Sequence, residues 1–307
     1  MRQSVIVPVF AVTGVLAVAA AALSATHVSL RCTAAALAVL ALLAVRRSRS
    51  RWRLAAGCLL FAVAASVRDA ALYSQGQDVG WFGYGPSQTV ALQAMWDAAC
   101  RAYTWELIAT GVQFVAVVLL AAAVSGLPRT HRRARIVTTT VAAVALGAGV
   151  LADRWLAIGL DEVAGAVRGA WPGLLAVAAG LVLLVLAGRR EDRRWLVAAG
   201  AGIVAVQAAM TQSDLTGAWL SLSALTDILH GDTHTVISWG TAVSEGMEYG
   251  PALTAAATIA GPALIVLGTP RPGTRGAGAR TPGGDDAPPP PSTGGDEEPP
   301  PAPAGED

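Results

Sequence analysis

The sequence predicts an all-α fold: a polytopic transmembrane helical bundle of about eight spans, followed by a disordered C-terminal tail. Three observations carry that expectation. Apolar residues make up 54% of the 307 and charged residues only 14%, too few charges to clothe a water-facing surface of this size. The apolar residues gather in long uncharged runs, such as 107–124 and 171–188, which match the ~20 helical residues needed to cross a ~30 Å hydrocarbon core. Arginine then recurs in every second connection, as the positive-inside rule requires of cytoplasmic loops.

Taken in order, the apolar segments are 5–23, 30–45, 54–73, 103–127, 136–152, 172–188, 195–210 and 251–268. Their apolarity is continuous, whereas barrel strands alternate over ~10 residues, so helix is the expected element throughout. The first segment admits a competing reading. Arg2, an apolar stretch and Ala22-Leu23-Ser24 resemble a signal peptide with a small-residue cleavage site, but the stretch exceeds the usual ~7–15 apolar residues. An uncleaved first helix is expected. Arg46, Arg47, Arg49, Arg51 and Arg53 follow segment two, Arg129, Arg132, Arg133 and Arg135 follow segment four, and Arg189, Arg190, Arg193 and Arg194 follow segment six. The alternate connections are acidic and form outer loops at 74–102, 153–171 and 211–250. Both termini then lie in the cytoplasm.

Residues 1–268 are thus read as the bundle and 269–307 as a cytoplasmic tail. The tail is dominated by proline, glycine, alanine and acids, so it cannot bury enough surface to offset its ordering entropy. Arg271, Arg275 and Arg280 at its start suit an anionic lipid surface. Most of the nine tryptophans fall at segment boundaries, where interfacial anchoring accounts for them.

All 22 basic residues are arginine. The bias fits a GC-rich bacterial genome, and a bacterial plasma membrane is the expected location. The lack of lysine excludes retinal and pyridoxal Schiff-base chemistry and a Walker A loop. Cys32, Cys58 and Cys100 form no disulfide framework. Cys58 reads as a small buried hydrophobe, and a Cys32–Cys100 bridge is an open alternative. No G-x-S-x-G, H-E-x-x-H or Cys-x-x-Cys motif is present. Internal repeats are not apparent. Small-xxx-small pairs, Ala143/Gly147, Ala176/Gly180 and Ala257/Gly261, are compatible with close helix packing.

Two groups of residues are candidate sites. The first is an intramembrane charge cluster of Arg68, Asp69 and Glu106, with Asp97 and Arg101 nearby. At 1.5 Å per residue, Arg68 lies about two-thirds of the way through the third segment. Charges at that depth are costly, so they pair or line a cavity. The functional reading is a proton or substrate site; the plainer one is a structural ion pair of Arg68 with Glu106 or Asp69. The second group is Asp227, His230 and His234 in LTDILHGDTH. Their i, i+3, i+7 spacing would put two imidazoles and a carboxylate on one face of a continuous helix, a set able to hold a divalent metal. Gly231-Asp232 reads equally well as a turn and N-cap, which would make them ordinary surface residues. Gln113 and Gln207 suit hydrogen bonds across helices, and Pro262 should kink the last span.

Three function classes remain: a non-catalytic membrane component (partner, sensor or assembly subunit), a small-solute transporter or permease, and a membrane redox or metal-binding enzyme built on His230 and His234. The cofactor is unknown. The expected partners are the lipid bilayer and other membrane proteins, with no role for nucleic acid. The first class is expected narrowly ahead, because the charge cluster is displaced outward from the midplane and Pro262 is the only sign of a broken helix.

Overall fold

The computed structural model describes residues 3–47, 51–75, 88–125, 160–188, 195–229 and 251–269, with the isolated positions 140, 141 and 144. Among these the elements are all helical: α1 (Gln3–Ala22), α2 (Thr26–Arg47), α3 (Trp52–Gln75), α4 (Gln88–Ser125), α5 (Leu160–Gly188), α6 (Trp195–Leu229) and α7 (Pro251–Gly268). Each contains a stretch long and apolar enough to cross a membrane. The chain is a multi-pass membrane protein built as an all-α bundle. The fifth apolar segment, 136–152, and the tail lie outside the described residues, as do the connections between them and their neighbours.

Three helices run past the boundaries read from the sequence. The region 74–102, expected as an outer loop, is helical from Gln88 and continuous with the fourth span. Its sequence, QTVALQAMWDAACRAY, is rich in strong helix formers and has no glycine or proline to stop it. Likewise the first half of the expected loop 211–250 is the continuation of α6 as far as Leu229, and the expected loop 153–171 is helical from Leu160. Pro172, expected to open a span, sits inside α5. The 211–229 stretch is polar enough to look like a loop, but its Thr211, Gln212 and Thr216 are buried among the helices rather than turned to water. At 1.5 Å per residue α4 is about 57 Å long and α6 about 52 Å, so both project well beyond a ~30 Å hydrocarbon core.

The turn between α1 and α2 is tight. Ser24 adopts a left-handed φ of 58°, Ala25 N–H donates to Ala20 C=O at 2.8 Å, and Ser24 N–H donates to Ala21 C=O at 3.0 Å. This is a Schellman closure that satisfies the last carbonyls of α1. The small residues that resemble a cleavage site in the sequence are, in the fold, the reversal that lays α1 against α2.

Helix neighbours follow from the contacts: α1 on α2, α2 on α3, α3 on α4, α4 on α6, and α7 closing the circuit against α6, α1 and α2, with α5 packed on α4 and α6. Directions follow from paired residues. Gly57 meets Leu120 while Arg68 meets Glu106, so α3 and α4 are antiparallel. Gly180 meets Ala205 while Gly173 meets Gln212, so α5 and α6 are antiparallel. By contrast Tyr103 reaches Gly169 while Phe114 packs on the cluster of Ala176 and Val177, so α4 and α5 are parallel. The chain therefore returns to the opposite end of the bundle between Ser125 and Leu160.

The main apolar core occupies one half of the bundle. It gathers Leu37 and Leu40 of α2, Phe61 of α3, Leu120 of α4, Leu183 of α5, Val204 of α6 and Ile265 of α7. The helix ends that adjoin the three arginine runs thus share one end of the molecule, and Arg51 Nη2 donates to Thr269 C=O there at 3.3 Å. The α6–α7 contact is backbone to backbone: a Cβ at Gly200 would lie 2.6 Å from Gly261 O and 2.9 Å from Ile265 N. Of the three small-xxx-small pairs, Gly180 and Gly261 sit at such close approaches, while Gly147 is outside the described residues. Cys58 is buried, and all three cysteines are free, so the Cys32–Cys100 bridge is not formed.

Candidate functional site

The half of the bundle away from the arginine runs is polar inside. On α4, Glu106, Thr110 and Gln113 recur at i, i+4 and i+7, one face of a helix. Arg68 of α3 points onto that face. Its Nη2 donates to Glu106 Oε1 at 2.6 Å, and its Nε to Oε1 at 3.1 Å and Oε2 at 3.3 Å. The pair is largely enclosed, with the two side chains 22% and 19% exposed. Nη1 of the same guanidinium donates to Gln113 Oε1 at 3.4 Å. Of the two pairings left open by the sequence, Arg68 with Glu106 or with Asp69, the first is the one that forms.

Asp69 does not join them, which corrects its place in the cluster read from the sequence. Its carboxylate is 2.8 Å from His27 Nδ1 and accepts from Arg31 Nε at 2.9 Å, both on α2. Successive residues on a helix point ~100° apart, so when Arg68 faces α4 its neighbour faces another helix. The two charged groups are separate sites, and the α2 partners are substantially exposed.

From α6, Thr211 Oγ1 lies 3.2 Å from Gln113 Oε1 and 3.0 Å from Gln207 C=O, sharing its one proton between two acceptors. Gln212 Nε2 donates to Thr216 Oγ1 at 3.1 Å, and that hydroxyl donates back to Gln212 C=O at 2.8 Å. Gln207, Thr211, Gln212 and Thr216 are all buried, as are Thr110 and Gln113. Asp214, exposed on α6, adds an attractive charge to Arg68. The helices thus enclose a polar seam. Counted from Ser125 at 1.5 Å per residue, it runs from Gln113, about 18 Å in, to Glu106, about 28 Å in. Against the ~30 Å core this is from near the midplane to the far boundary.

Beyond Glu106 the projecting parts of α4, α5 and α6 are held by aromatic residues. Tyr103 OH donates to Gly169 C=O at 2.6 Å, its ring lies 5.6 Å from that of Trp219, and Trp96 Nε1 donates to Thr226 Oγ1 at 3.0 Å. Pro172 lacks the N–H that would bond one turn back, and one residue on, Gly173 leaves the space that Gln212 Oε1 fills; a Cβ there would collide with it.

Several polar atoms in the seam have no hydrogen-bond partner among the described residues: Thr110 Oγ1, Gln113 Nε2, Gln207 Oε1 and Gln212 Oε1. An unpaired buried amide or hydroxyl costs on the order of 1–3 kcal/mol. For Gln212 the Gly173 Cα–H is a weak substitute donor. Of the other three, Gln113 adjoins α6 through Thr211.

Gln113 and Gln207 were legible in the sequence as polar residues inside spans. Thr110, Thr211, Gln212 and Thr216 were not singled out. The signals that could have found them are the 106/110/113 stripe and the polar run that follows Gln207. Of the second candidate group, Asp227 is half-buried near the end of α6, whereas His230 and His234 lie outside the described residues. Compared with known proteins, the chain matches no family model, no curated protein and no solved structure.

Proposed function

We propose that the protein is a small-solute transporter or permease of a bacterial plasma membrane, with eight spans, both termini in the cytoplasm, and a solute site in the polar seam. One observation carries this reading: the half-buried Arg68–Glu106 pair of α3 and α4 and the buried polar groups of α4 and α6 reach from the far boundary to the midplane, while the arginine-side half is closed by apolar packing. A polar site near the midplane, enclosed in this structure and sealed toward the arginine side by apolar packing, suits an occluded state of alternating access. The backbone hydrogen bond that Pro172 cannot make inside α5, at the level of Gln212, agrees with it. The eight-span topology is supported by the parallel course of α4 and α5, which calls for a crossing between them, and by the apolar stretch 136–152 available to make it. Placing the arginine-side end in the cytoplasm follows from the positive-inside rule.

The geometry moves this class ahead of the non-catalytic component that the sequence favours, because the polar groups extend inward past the interface instead of stopping at it. A metal or redox role for Asp227, His230 and His234 draws no support from the seam.

Thiol labelling in intact cells tests the reading. In a chain whose three native cysteines are replaced, Thr110→Cys, enclosed in this structure, should react with a membrane-impermeant thiol reagent added outside as the outer ends of the helices part during transport. Val204→Cys, in the apolar half, should stay unreactive. Reaction of the 110 thiol only in inverted vesicles would reverse the orientation. No reaction from either side would reduce the seam to a structural feature and return the protein to the non-catalytic class.

A further inference from the structure

Resting on that reading, we propose that Thr110, Gln113 and Gln207 bind a short file of neutral hydroxyl groups, supplied by water or by a small polyol. Gln113 comes first. Arginine offers only donors, so the contact from Arg68 Nη1 turns the Gln113 oxygen toward it, and the Thr211 hydroxyl, able to donate or accept, donates to the same oxygen. Its Nε2, with two N–H donors, is left facing the interior without a partner among the described residues. Gln207 presents the opposite character, a free carbonyl oxygen, and Thr110 a free hydroxyl. All three residues are at most 1% exposed.

The three sit in register. Gln113 meets Thr211 across the α4–α6 interface. Gln207 is one turn from Thr211 toward the arginine-side end, and Thr110 is nearly one turn from Gln113 the other way. At 1.5 Å per residue the ladder is about 10 Å long, a length that three or four hydroxyl oxygens at ~2.8 Å spacing would match.

Ligand class follows from the groups. The occupant must accept from Gln113 and donate to Gln207. A carboxylate cannot donate and an ammonium cannot accept, and an amide does both only through two different atoms; a hydroxyl or a water does both at a single oxygen. Charge points the same way. The one guanidinium at the site is already neutralised by Glu106, and the free groups carry no charge to offset a buried ion.

Hydroxyl-radical footprinting of the full chain in detergent, read by mass spectrometry, tests this. Val117, one turn from Gln113 on α4 and level with Gln207, is fully buried where the apolar core begins, so its side chain is oxidised only if a water that can form the radical lies beside it. Val117 should be oxidised in the native chain, with exposed Trp195 as internal dosimeter, and should fall to the level of Val204 in the Gln113→Leu, Gln207→Leu chain. Suppression of Val117 oxidation by millimolar glycerol or erythritol, relative to Trp195, identifies a polyol as occupant; no effect of either identifies resident water. Absence of Val117 oxidation in the native chain overturns the proposal, whether or not the variant folds. Its persistence in a variant that folds overturns the assignment to these residues. Reaction of Thr110→Cys from outside without Val117 oxidation would leave the one-sided seam standing and remove only the hydroxyl file.

Discussion

Breaking the Arg68–Glu106 pair tests whether the seam is held by charge. Arg68→Ala removes three contacts to Glu106, between 2.6 and 3.3 Å, and leaves the carboxylate in a site where it is 19% exposed. Exposed ion pairs contribute ~0.2–1 kcal/mol. Deleting one member of a buried pair costs about 3–5 kcal/mol, most of it the penalty on the charge left behind. With about one-fifth of each side chain still reaching solvent, the expected loss lies at the low end of that range, about 3 kcal/mol for Arg68→Ala. Glu106→Ala should cost about as much, since it strands the guanidinium. The double change strands neither charge, so it should cost about 2 kcal/mol less than the sum of the singles. The measurement is unfolding by SDS titration in mixed micelles, followed by the fluorescence of the nine tryptophans. A coupling below about 0.5 kcal/mol would refute the reasoning and make the pair a contact of proximity alone.

The second ion-pair group should behave differently. Asp69→Asn weakens the contacts to His27 and Arg31, but those side chains are 44% and 58% exposed, so stability in the same titration should change by less than about 1 kcal/mol. Gly200→Ala should lower stability by about 1–3 kcal/mol, because the added Cβ meets the backbone of Gly261 and Ile265 and no side chain can move aside. Its melting temperature in detergent checks this; an unchanged value would mean that α6 and α7 do not approach as closely as the structure has them.

The sequence by itself determined the class of molecule. Continuous apolar runs can satisfy their backbone in lipid only as helices, and each arginine cluster marks a helix end that cannot enter the hydrocarbon. That is why seven of the eight expected spans reappear as helices and why the ends beside the arginines share one end of the bundle. The pairing of Arg68 with Glu106 was within reach too, as a choice between two acids, because a charge at that depth needs a counter-charge.

Only the tertiary structure decided which acid. The choice depends on which helix stands opposite Arg68, and the rotation of α3 that brings Arg68 to α4 turns Asp69 away to α2. The same holds for the length of α4, α5 and α6. A polar stretch such as TQSDLTGAW reads as a loop until its buried face, Gln212 and Thr216 against α5, is seen. The seam itself is a property of assembly. Gln207 lies far along the chain from Thr110 and Gln113, on a separate helix, and only assembly buries them and leaves Thr110 Oγ1, Gln113 Nε2 and Gln207 Oε1 without a hydrogen-bond partner among the described residues.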